Sequence, residues 1–230
     1  MAPIARTLAH IPLFRTLDRP ALQRLEALCV WRDAAPKQWI TDHEGEGTDV
    51  FFVLRGQLRV IASVGGRDTI LRDLHEGEFF GELAALDERP RSAGIQAVTN
   101  ATLARMPATG FRRAIHDYPD VCDQILAVLV GQVRMLANRA NETAGLNMKH
   151  RLWAELLRLG SPALAAPGNL VVSPPPTHAE LAARVASHRE AVTRELNALE
   201  RSGLIARRRG AIELLDAGRL RKMVAEAGER

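Results

Sequence analysis

Residues 79–93 have the sequence FFGELAALDERPRSA, and their chemistry suits a small phosphate ester. Gly81 lets backbone N–H groups approach an anion closely, and a short helix beginning near Glu82 offers further N–H donors. Arg91 supplies a charge-assisted pair for a phosphate, and Ser92 adds a hydroxyl beside it. An ionised Glu82 only accepts hydrogen bonds, so its natural partner is a sugar hydroxyl. The stretch therefore predicts a site for a sugar phosphate.

The segment around this stretch, from Trp31 to Met106, consists of short apolar runs separated by glycines. The runs include Val50–Leu54, Leu58–Ile61 and Ile70–Leu74, and the glycines are Gly45, Gly47, Gly56, Gly65, Gly66, Gly77 and Gly81. Short strands with regular glycine turns predict an antiparallel sandwich or barrel. Residues 1–28 instead predict helix, because Leu17, Leu22, Leu25 and Leu28 share one face and Asp18-Arg19-Pro20 marks a helix start.

The order and spacing of residues 79–93 resemble the phosphate-binding cassette of cyclic-nucleotide-binding domains. That cassette has Phe-Gly-Glu-Leu-Ala, several residues, then Arg followed by Ser, Thr or Ala and another Ala. The resemblance implies that Arg91 binds the cyclic phosphate, that Glu82 binds the ribose 2′-hydroxyl and that the glycine-rich roll is the pocket. The residues it places at the nucleotide are Gly81, Glu82, Leu83, Arg91, Ser92 and Ala93. The alternative is a structural cassette that holds no ligand.

A long helix is predicted from Tyr118 to Asn147. Cys122, Leu126, Leu129, Val133, Leu136 and Ala140 recur at steps of four and three, and Val121, Ile125, Val128 and Met135 form a second stripe. Such a helix can face its own barrel and a twin helix, as in a coiled-coil dimer, or it can be a plain core helix.

The base of the nucleotide is not fixed by this helix. The cyclic-AMP receptor branch of the family places hydroxyl residues of the long helix against adenine, whereas an ungapped alignment from Tyr118 puts Leu136 and Ala137 there. Asn138, beside them, is a candidate contact to a base edge, although it also fits a buried register-setting or a solvated residue. The effector is predicted to be cyclic AMP, with cyclic GMP next.

Residues 177–196, THAELAARVASHREAVTREL, predict two short helices separated by a tight turn. Thr177 and Glu180 form a capping box for the first helix. The second helix presents Arg189, Glu190 and Arg194; an arginine can bind guanine bidentately, and a glutamate can accept from cytosine N4. This arrangement predicts a helix-turn-helix that inserts into the major groove of DNA.

The same block resembles the DNA-binding domain of the cyclic-AMP receptor protein family, whose recognition helix carries Arg-Glu-x-x-x-Arg. Ala186 departs from the family at a position where a turn glycine is often found. Ser187 and Glu190 also fit a second capping box, which would divert Glu190 from DNA. Residues 207–210, RRRG, predict a hairpin wing or a solvated basic turn. The candidate DNA contacts are Ser187, His188, Arg189, Glu190, Arg194 and Arg208.

Composition agrees with two soluble domains. The chain has 230 residues, and residues 148–230 hold 14 Lys and Arg against 9 Asp and Glu, a basic excess suited to a phosphate backbone or to a solvated surface. No apolar run approaches a membrane span, and the N-terminus lacks the pattern of a signal peptide, so the predicted compartment is the cytoplasm without membrane attachment. Cys29 and Cys122 fit no metal motif and are predicted to be core residues.

These features identify the chain as a member of the cyclic-AMP receptor/fumarate-nitrate regulator superfamily. The implied α+β fold has a jelly-roll-like antiparallel β-roll domain at residues 1–116, a central dimerisation helix at 117–147 and a winged helix-turn-helix at 148–230. The implied function is a cyclic-nucleotide-responsive transcription regulator that binds palindromic DNA as a homodimer and contacts RNA polymerase. A redox or gas sensor would need a cysteine cluster or haem ligands; the N-terminal region offers Cys29 as its only cysteine, and His75, without a neighbouring cysteine, is more simply a surface strand residue. No residues in the sequence have the spacing of a nucleophile and its base or of metal ligands, so the sequence does not predict an enzyme.

Overall fold

The computed structural model describes residues 6–42, 45–64, 67–162 and 168–228. The chain divides into two compact units, residues 1–132 and 133–230, and the division falls inside one long helix. Gly65 and Gly66, for which the sequence predicts a turn, lie outside the described residues. So does Pro167, which belongs with Pro162, Gly168 and Pro174–Pro176 to the residues that predict a loop at Ser161–Pro176 within the C-terminal domain.

The first unit is built mainly from short strands. Its elements are a 3-10 turn at Pro12–Phe14, α1 (Arg19–Glu26), β1 (Val30–Ala34), β2 (Trp39–Thr41), β3 (Val50–Arg55), β4 (Leu58–Val64), β5 (Arg67–Leu74), β6 (Phe79–Phe80), α2 (Glu82–Asp87), β7 (Gly94–Ala97), β8 (Ala101–Met106), α3 (Ala108–Asp117) and the start of α4 (Pro119–Gly145). The strands form two antiparallel sheets, in the orders β1-β8-β3-β6 and β2-β7-β4-β5.

Strand β3 lies at the centre of this unit because both of its faces are buried. Phe51 and Val53 belong to one core cluster, while Val50, Phe52 and Leu54 belong to a second cluster that includes residues of α1 and α3. Successive side chains of a strand point to opposite faces, so one strand serves both clusters.

The N-terminal region is helical over a shorter range than predicted. Helix α1 begins as expected, since the Asp18 carboxylate accepts a hydrogen bond from Ala21 N at 2.8 Å. Residues 6–18 form no α-helix; Thr7 and Leu8 instead donate hydrogen bonds to Glu26 Oε1 at 2.6 and 2.8 Å. The predicted apolar face also fails at Leu28, which lies beyond α1 and is 42% exposed. Glu26 therefore holds this segment in an irregular path over the core.

The long helix α4 forms within two residues of its predicted bounds. In its first turns Val121 and Ile125 are buried, so the second predicted stripe begins as a packing face of the first unit. The heptad seam is open by contrast: Leu126, Val133 and Leu136 are 54%, 65% and 51% exposed.

The second unit has one small sheet and several helices. Its elements after α4 are α5 (Met148–Leu159), β9 (Ser161–Pro162), β10 (Leu170–Val172), α6 (His178–Arg184), α7 (Arg189–Arg201), β11 (Ile205–Arg208), β12 (Ala211–Leu214) and α8 (Ala217–Gly228). The segment Ser161–Pro176, predicted to be a loop, contributes β9 and β10, which pair in the sheet β9-β10-β12-β11. The α+β class, with a β-roll, a long helix and a winged helix-turn-helix, is confirmed.

The structure also bears on the burial of the two cysteines and on membrane-spanning helices. Cys29 and Cys122 are only partly buried, so the prediction that they are core residues is wrong in degree. Burial nevertheless raises the pKa of the Cys29 thiol to about 12, which keeps it protonated at neutral pH. Among the described residues no helix is long and apolar enough to cross a membrane.

Candidate functional site

The guanidinium of Arg91 is a buried charged group of the first unit. Arg91 is only 6% exposed, and it donates from Nη2 to Asp49 O at 2.7 Å and from Nη1 to Gly81 O at 3.2 Å. It forms no ion pair with any carboxylate of the described residues. Burial lowers the pKa of Arg91, and the negative charges of Asp49 and Glu82 partly oppose that effect. The site therefore holds a desolvated cation whose counter-ion is not supplied by the described chain.

Gly81 makes this position of Arg91 possible. Its φ is +89°, and a Cβ placed there would lie 2.4 Å from Arg91 Nη1 and 2.6 Å from Asp49 O. Neither contact is sterically allowed, so a larger residue would displace the guanidinium or the backbone carbonyl. The glycine predicted for close backbone approach is needed here for the approach of an arginine.

Glu82 is the first residue of α2 and is 6% exposed. Its Oε1 accepts a hydrogen bond from Gln132 Nε2 at 3.1 Å. Gln132 is not among the residues predicted from the sequence, although its position gives a signal: it lies eleven residues after Val121 and seven after Ile125, on the stripe of α4 that packs inward. A polar residue on a buried stripe indicates a polar partner.

The other predicted nucleotide residues are placed less closely together. Ala93 is buried, Ser92 is exposed and Leu83 is 43% exposed. Asn138 is exposed on the part of α4 that belongs to the second unit, so it does not join Gly81, Glu82 and Arg91 within one unit. Within the described ranges no group of three His, Cys, Asp or Glu side chains is arranged to hold a metal ion.

Helix α6 begins at the predicted capping box. Thr177 Oγ1 accepts from Glu180 N at 3.2 Å, and Thr177 N donates to Glu180 Oε2 at 2.8 Å. A side-chain contact then joins α6 to α7, with His178 Nδ1 2.7 Å from Thr193 Oγ1. Because the Thr193 hydroxyl donates to Arg189 O, His178 Nδ1 is the donor in this contact. The contact fixes the recognition helix against the first helix.

The turn between α6 and α7 contains a residue in the left-handed conformation and lacks the second capping box that the sequence allows. Ala186 has a φ of +49°, the left-handed conformation that glycine usually provides. Helix α7 begins at Arg189 with His188 as its N-cap, and this cap has no side-chain hydrogen bond. The second capping box of Ser187 and Glu190 is therefore absent, because the helix begins one residue later than that box requires.

The outer surface of α7 and the wing carry the predicted DNA residues. His188, Arg189, Glu190 and Arg194 are exposed, Ser187 is half-buried, and Arg189, Glu190 and Arg194 form no ion pair with a described residue.

In the β11–β12 hairpin, Arg207 is bound to Glu200 and Asn197, and Arg208 Nε lies 3.5 Å from Glu213 Oε2. Arg209 lies in the turn, is exposed and has no ion pair among the described residues. The predicted wing exists, and Arg209 is its most available cation.

Comparison with known proteins finds a matching domain family for each half of the chain. A cyclic nucleotide-binding domain matches residues 31–118, and a Crp-like helix-turn-helix domain matches residues 150–223. The chain belongs to the Crp/Fnr superfamily of transcription regulators. The regulator is 28% identical over 169 residues to the cAMP-activated global transcriptional regulator CRP of Escherichia coli, covering 71% of this chain and 80% of that protein. It is also 28% identical over 178 residues to the cyclic AMP receptor protein of Thermus thermophilus, covering 77% of this chain and 80% of that one.

Solved structures share the fold. A CooA variant from Carboxydothermus hydrogenoformans has a TM-score of 0.79 at 18% identity, with 94% of this chain and 95% of that chain covered. The c-di-GMP responsive regulator CLP of Xanthomonas campestris has a TM-score of 0.71 at 22% identity, with 86% and 99% covered. These likenesses concern the fold alone. With its helix-turn-helix and its cyclic-nucleotide-binding domain, the protein is a DNA-binding regulator; the named relatives are regulators and not enzymes.

The left-handed backbone of Ala186 leads to a prediction about the free energy of unfolding of this regulator. Replacing Ala186 by glycine relieves a backbone strain of about 1–2 kcal/mol and costs about 0.4–1 kcal/mol through the more flexible unfolded chain. We expect a net gain of about 0.5–1 kcal/mol in the free energy of unfolding, measured by urea denaturation of the full chain. Ala183→Gly, inside α6, is the matched control and should lose about 1 kcal/mol. Equal losses in both variants would contradict the left-handed turn.

Proposed function

We propose that this regulator is switched by a cyclic nucleotide bound at Gly81, Glu82 and Arg91, with cAMP as the first expected effector and cGMP as the second. The observation that carries the proposal is the buried Arg91 guanidinium without a carboxylate partner in the described chain. A cyclic phosphate supplies one negative charge and acceptor oxygens, which would satisfy a desolvated cation. The neighbouring Glu82 carboxylate then accepts from the ribose 2′-hydroxyl, and Leu83, Ser92 and Ala93 are the further proposed contacts.

We expect nucleotide binding to change the hydrogen-bond partners of Glu82. The Gln132 amide donates to the Glu82 carboxylate. A ribose hydroxyl would compete for that oxygen or share it, since a carboxylate oxygen accepts two hydrogen bonds. Binding is therefore sensed directly by a residue of α4. Asn138, on the same helix, is the proposed contact to the base.

The active form is proposed to be a homodimer joined along α4. The exposed apolar side chains of its seam, Leu126, Val133 and Leu136, recur at the spacing by which two helices pack in a coiled coil. Two recognition helices related by a two-fold axis would lie about 34 Å apart and bind a palindromic site. Arg189, Glu190 and Arg194 would contact base edges, and Ser187, His188, Arg208 and Arg209 the backbone. RNA polymerase is the proposed protein partner at a promoter. The cytoplasm is the proposed compartment, since that is where we expect the protein to meet its DNA.

A second candidate is a regulator of the same superfamily that binds DNA without a cyclic nucleotide, or that senses a redox or gas signal. One observation favours the first of these: the Glu82 carboxylate already has the Gln132 amide as a partner. Absorbance of the purified protein separates a redox or gas sensor, because haem and iron–sulfur centres are coloured.

Titration calorimetry with cAMP and cGMP, followed by selection of DNA sites from a random pool with and without the bound nucleotide, tests the function. We expect one nucleotide to bind once per chain and to raise the affinity for a palindromic site by about 5- to 150-fold. DNA must raise the nucleotide affinity by the same factor, since the coupling is reciprocal. Sequence-specific DNA binding with no binding of either nucleotide would reject the switch and leave the second candidate.

A further inference from the structure

A cluster of buried and partly buried charged side chains lies inside the second unit and includes none of the residues proposed to bind DNA. At its centre is Glu155 of α5, which is 1% exposed. Arg158, one turn later on α5, contacts Glu155 Oε2. Arg184 of α6 reaches Glu155 Oε1 with Nη1 at 3.3 Å, and both side chains are 2% exposed. One carboxylate thus joins α5 to the first helix of the helix-turn-helix.

The same cluster extends to α4. Arg139 Nη2 lies 3.6 Å from Glu155 Oε2, and Arg158 Nη2 donates to both oxygens of Glu142 at 2.8 and 2.9 Å. Both α4 residues belong to the segment of that helix assigned to the second unit. Three helices therefore meet at two carboxylates, and the end of α4 is bound to the helix-turn-helix by charge as well as by covalent connection.

Electrostatics makes this cluster sensitive to the position of α4. The guanidiniums of Arg139, Arg158 and Arg184 all contact the buried Glu155 carboxylate, and the Arg139 and Arg184 side chains are 17% and 2% exposed. Burial lowers the pKa of Arg139, and the charges of Arg158 and Arg184 lower it further, against the effect of Glu155. Buried ion pairs lose much of their value when one partner moves, because the remaining charge is left desolvated. A displacement of α4 that separated Arg139 from Glu155 would change the surroundings of Arg184 on α6.

We infer that Glu155 is a positioning residue that transmits the state of α4 to the helix-turn-helix, through Arg139 on one side and Arg184 on the other. It is not one of the residues proposed to bind nucleotide or DNA, and it acts through these two arginines. As a transmitter of the nucleotide signal this role rests on the proposed function. The physical link between the end of α4 and α6 stands apart from it and is tested separately.

Arg139→Gln is the variant of choice, because it removes the direct contact of α4 with Glu155 and leaves Glu155 with two arginines. Glu155→Gln would take the Glu155 charge away from the buried Arg184 guanidinium and would threaten folding. Arg134→Gln is the matched control: it makes the same change five residues earlier on α4, where the side chain is exposed. Both variants are made in the full chain.

Two readouts test the inference. The first is amide hydrogen exchange of residues 134–145 without nucleotide, which we expect to quicken about tenfold in Arg139→Gln and to stay unchanged in Arg134→Gln. The second is the ratio of affinities for the selected DNA site with and without cAMP, or cGMP if calorimetry shows that to be the effector. We expect that ratio to fall to a third of the wild-type value or less, with nucleotide affinity changed less than twofold.

The outcomes separate the two proposals. An exchange rate equal in Arg139→Gln and Arg134→Gln overturns the link, whatever the nucleotide does. Faster exchange with an unchanged affinity ratio overturns the transmitting role and reduces the cluster to a structural one. If neither nucleotide binds the wild type, the proposed function fails; the exchange measurement still decides the link, and the transmission of a nucleotide signal falls with the function.

Discussion

Replacing Arg91 by alanine lowers the affinity for the cyclic nucleotide by about a hundredfold or more, measured by calorimetry. The loss has a direct electrostatic reason. Arg91 is the buried cation for which the described chain offers two carbonyl oxygens and no carboxylate partner. Truncating one member of a buried, hydrogen-bonded charge pair costs about 2–5 kcal/mol, since the phosphate would be left desolvated without a counter-charge.

Arg89→Ala is the matched control for this prediction. Arg89 lies two residues earlier in the same loop, is exposed, and should change nucleotide affinity less than twofold. Arg91→Ala also leaves Asp49 O and Gly81 O without their donor, but it removes a desolvated charge, so its two effects on folding oppose each other. Thermal unfolding without nucleotide checks that the roll stays folded. A folded Arg91→Ala variant with wild-type affinity would show that the phosphate binds elsewhere.

Local patterns in the sequence predicted the elements of the site because each depends on neighbours along the chain. The strands around Gly56 and Gly77, the capping box of Thr177 and Glu180 and the two helices of the DNA-binding motif all formed. Gly81 and Arg91 are ten residues apart; the resemblance to a known cassette assigned both to one predicted site, but it did not predict the hydrogen bond between them.

Contacts between distant segments could not be read in the same way. Glu82 and Gln132 are 50 residues apart, and Arg184 and Glu155 are 29 apart. An isolated glutamate or arginine in a helix has the same local pattern whether it is solvated or buried, so Glu155 gave no signal. The proline-rich segment Ser161–Pro176 was misjudged for a related reason. Strands β9 and β10 are two and three residues long, and the pairing of β9 with β10 and of β10 with β12 decides their conformation more than their own propensity.

Replacing Arg189 by alanine lowers the affinity for the selected palindromic site by about thirtyfold or more. Each arginine–guanine contact contributes about 1–3 kcal/mol of discrimination, and a dimer loses one contact in each half-site. Arg189 is suited to this contact because it is the first residue of α7, is exposed and is not held by an ion pair with any described residue. Fluorescence anisotropy with the selected site and with a scrambled duplex measures both affinities at one salt concentration.

The scrambled duplex decides what Arg189 reads. A base contact is lost only from the specific complex, so the ratio of specific to scrambled affinity should fall by nearly the whole thirtyfold. Arg209→Ala in the wing is the contrasting variant: a phosphate contact is lost from both duplexes alike, and the slope of log affinity against log salt should fall by about one for each contact. If Arg189→Ala weakens both duplexes equally, Arg189 binds the backbone instead, and Glu190 and Arg194 must carry the sequence preference, because they are the other exposed readers on the same helix.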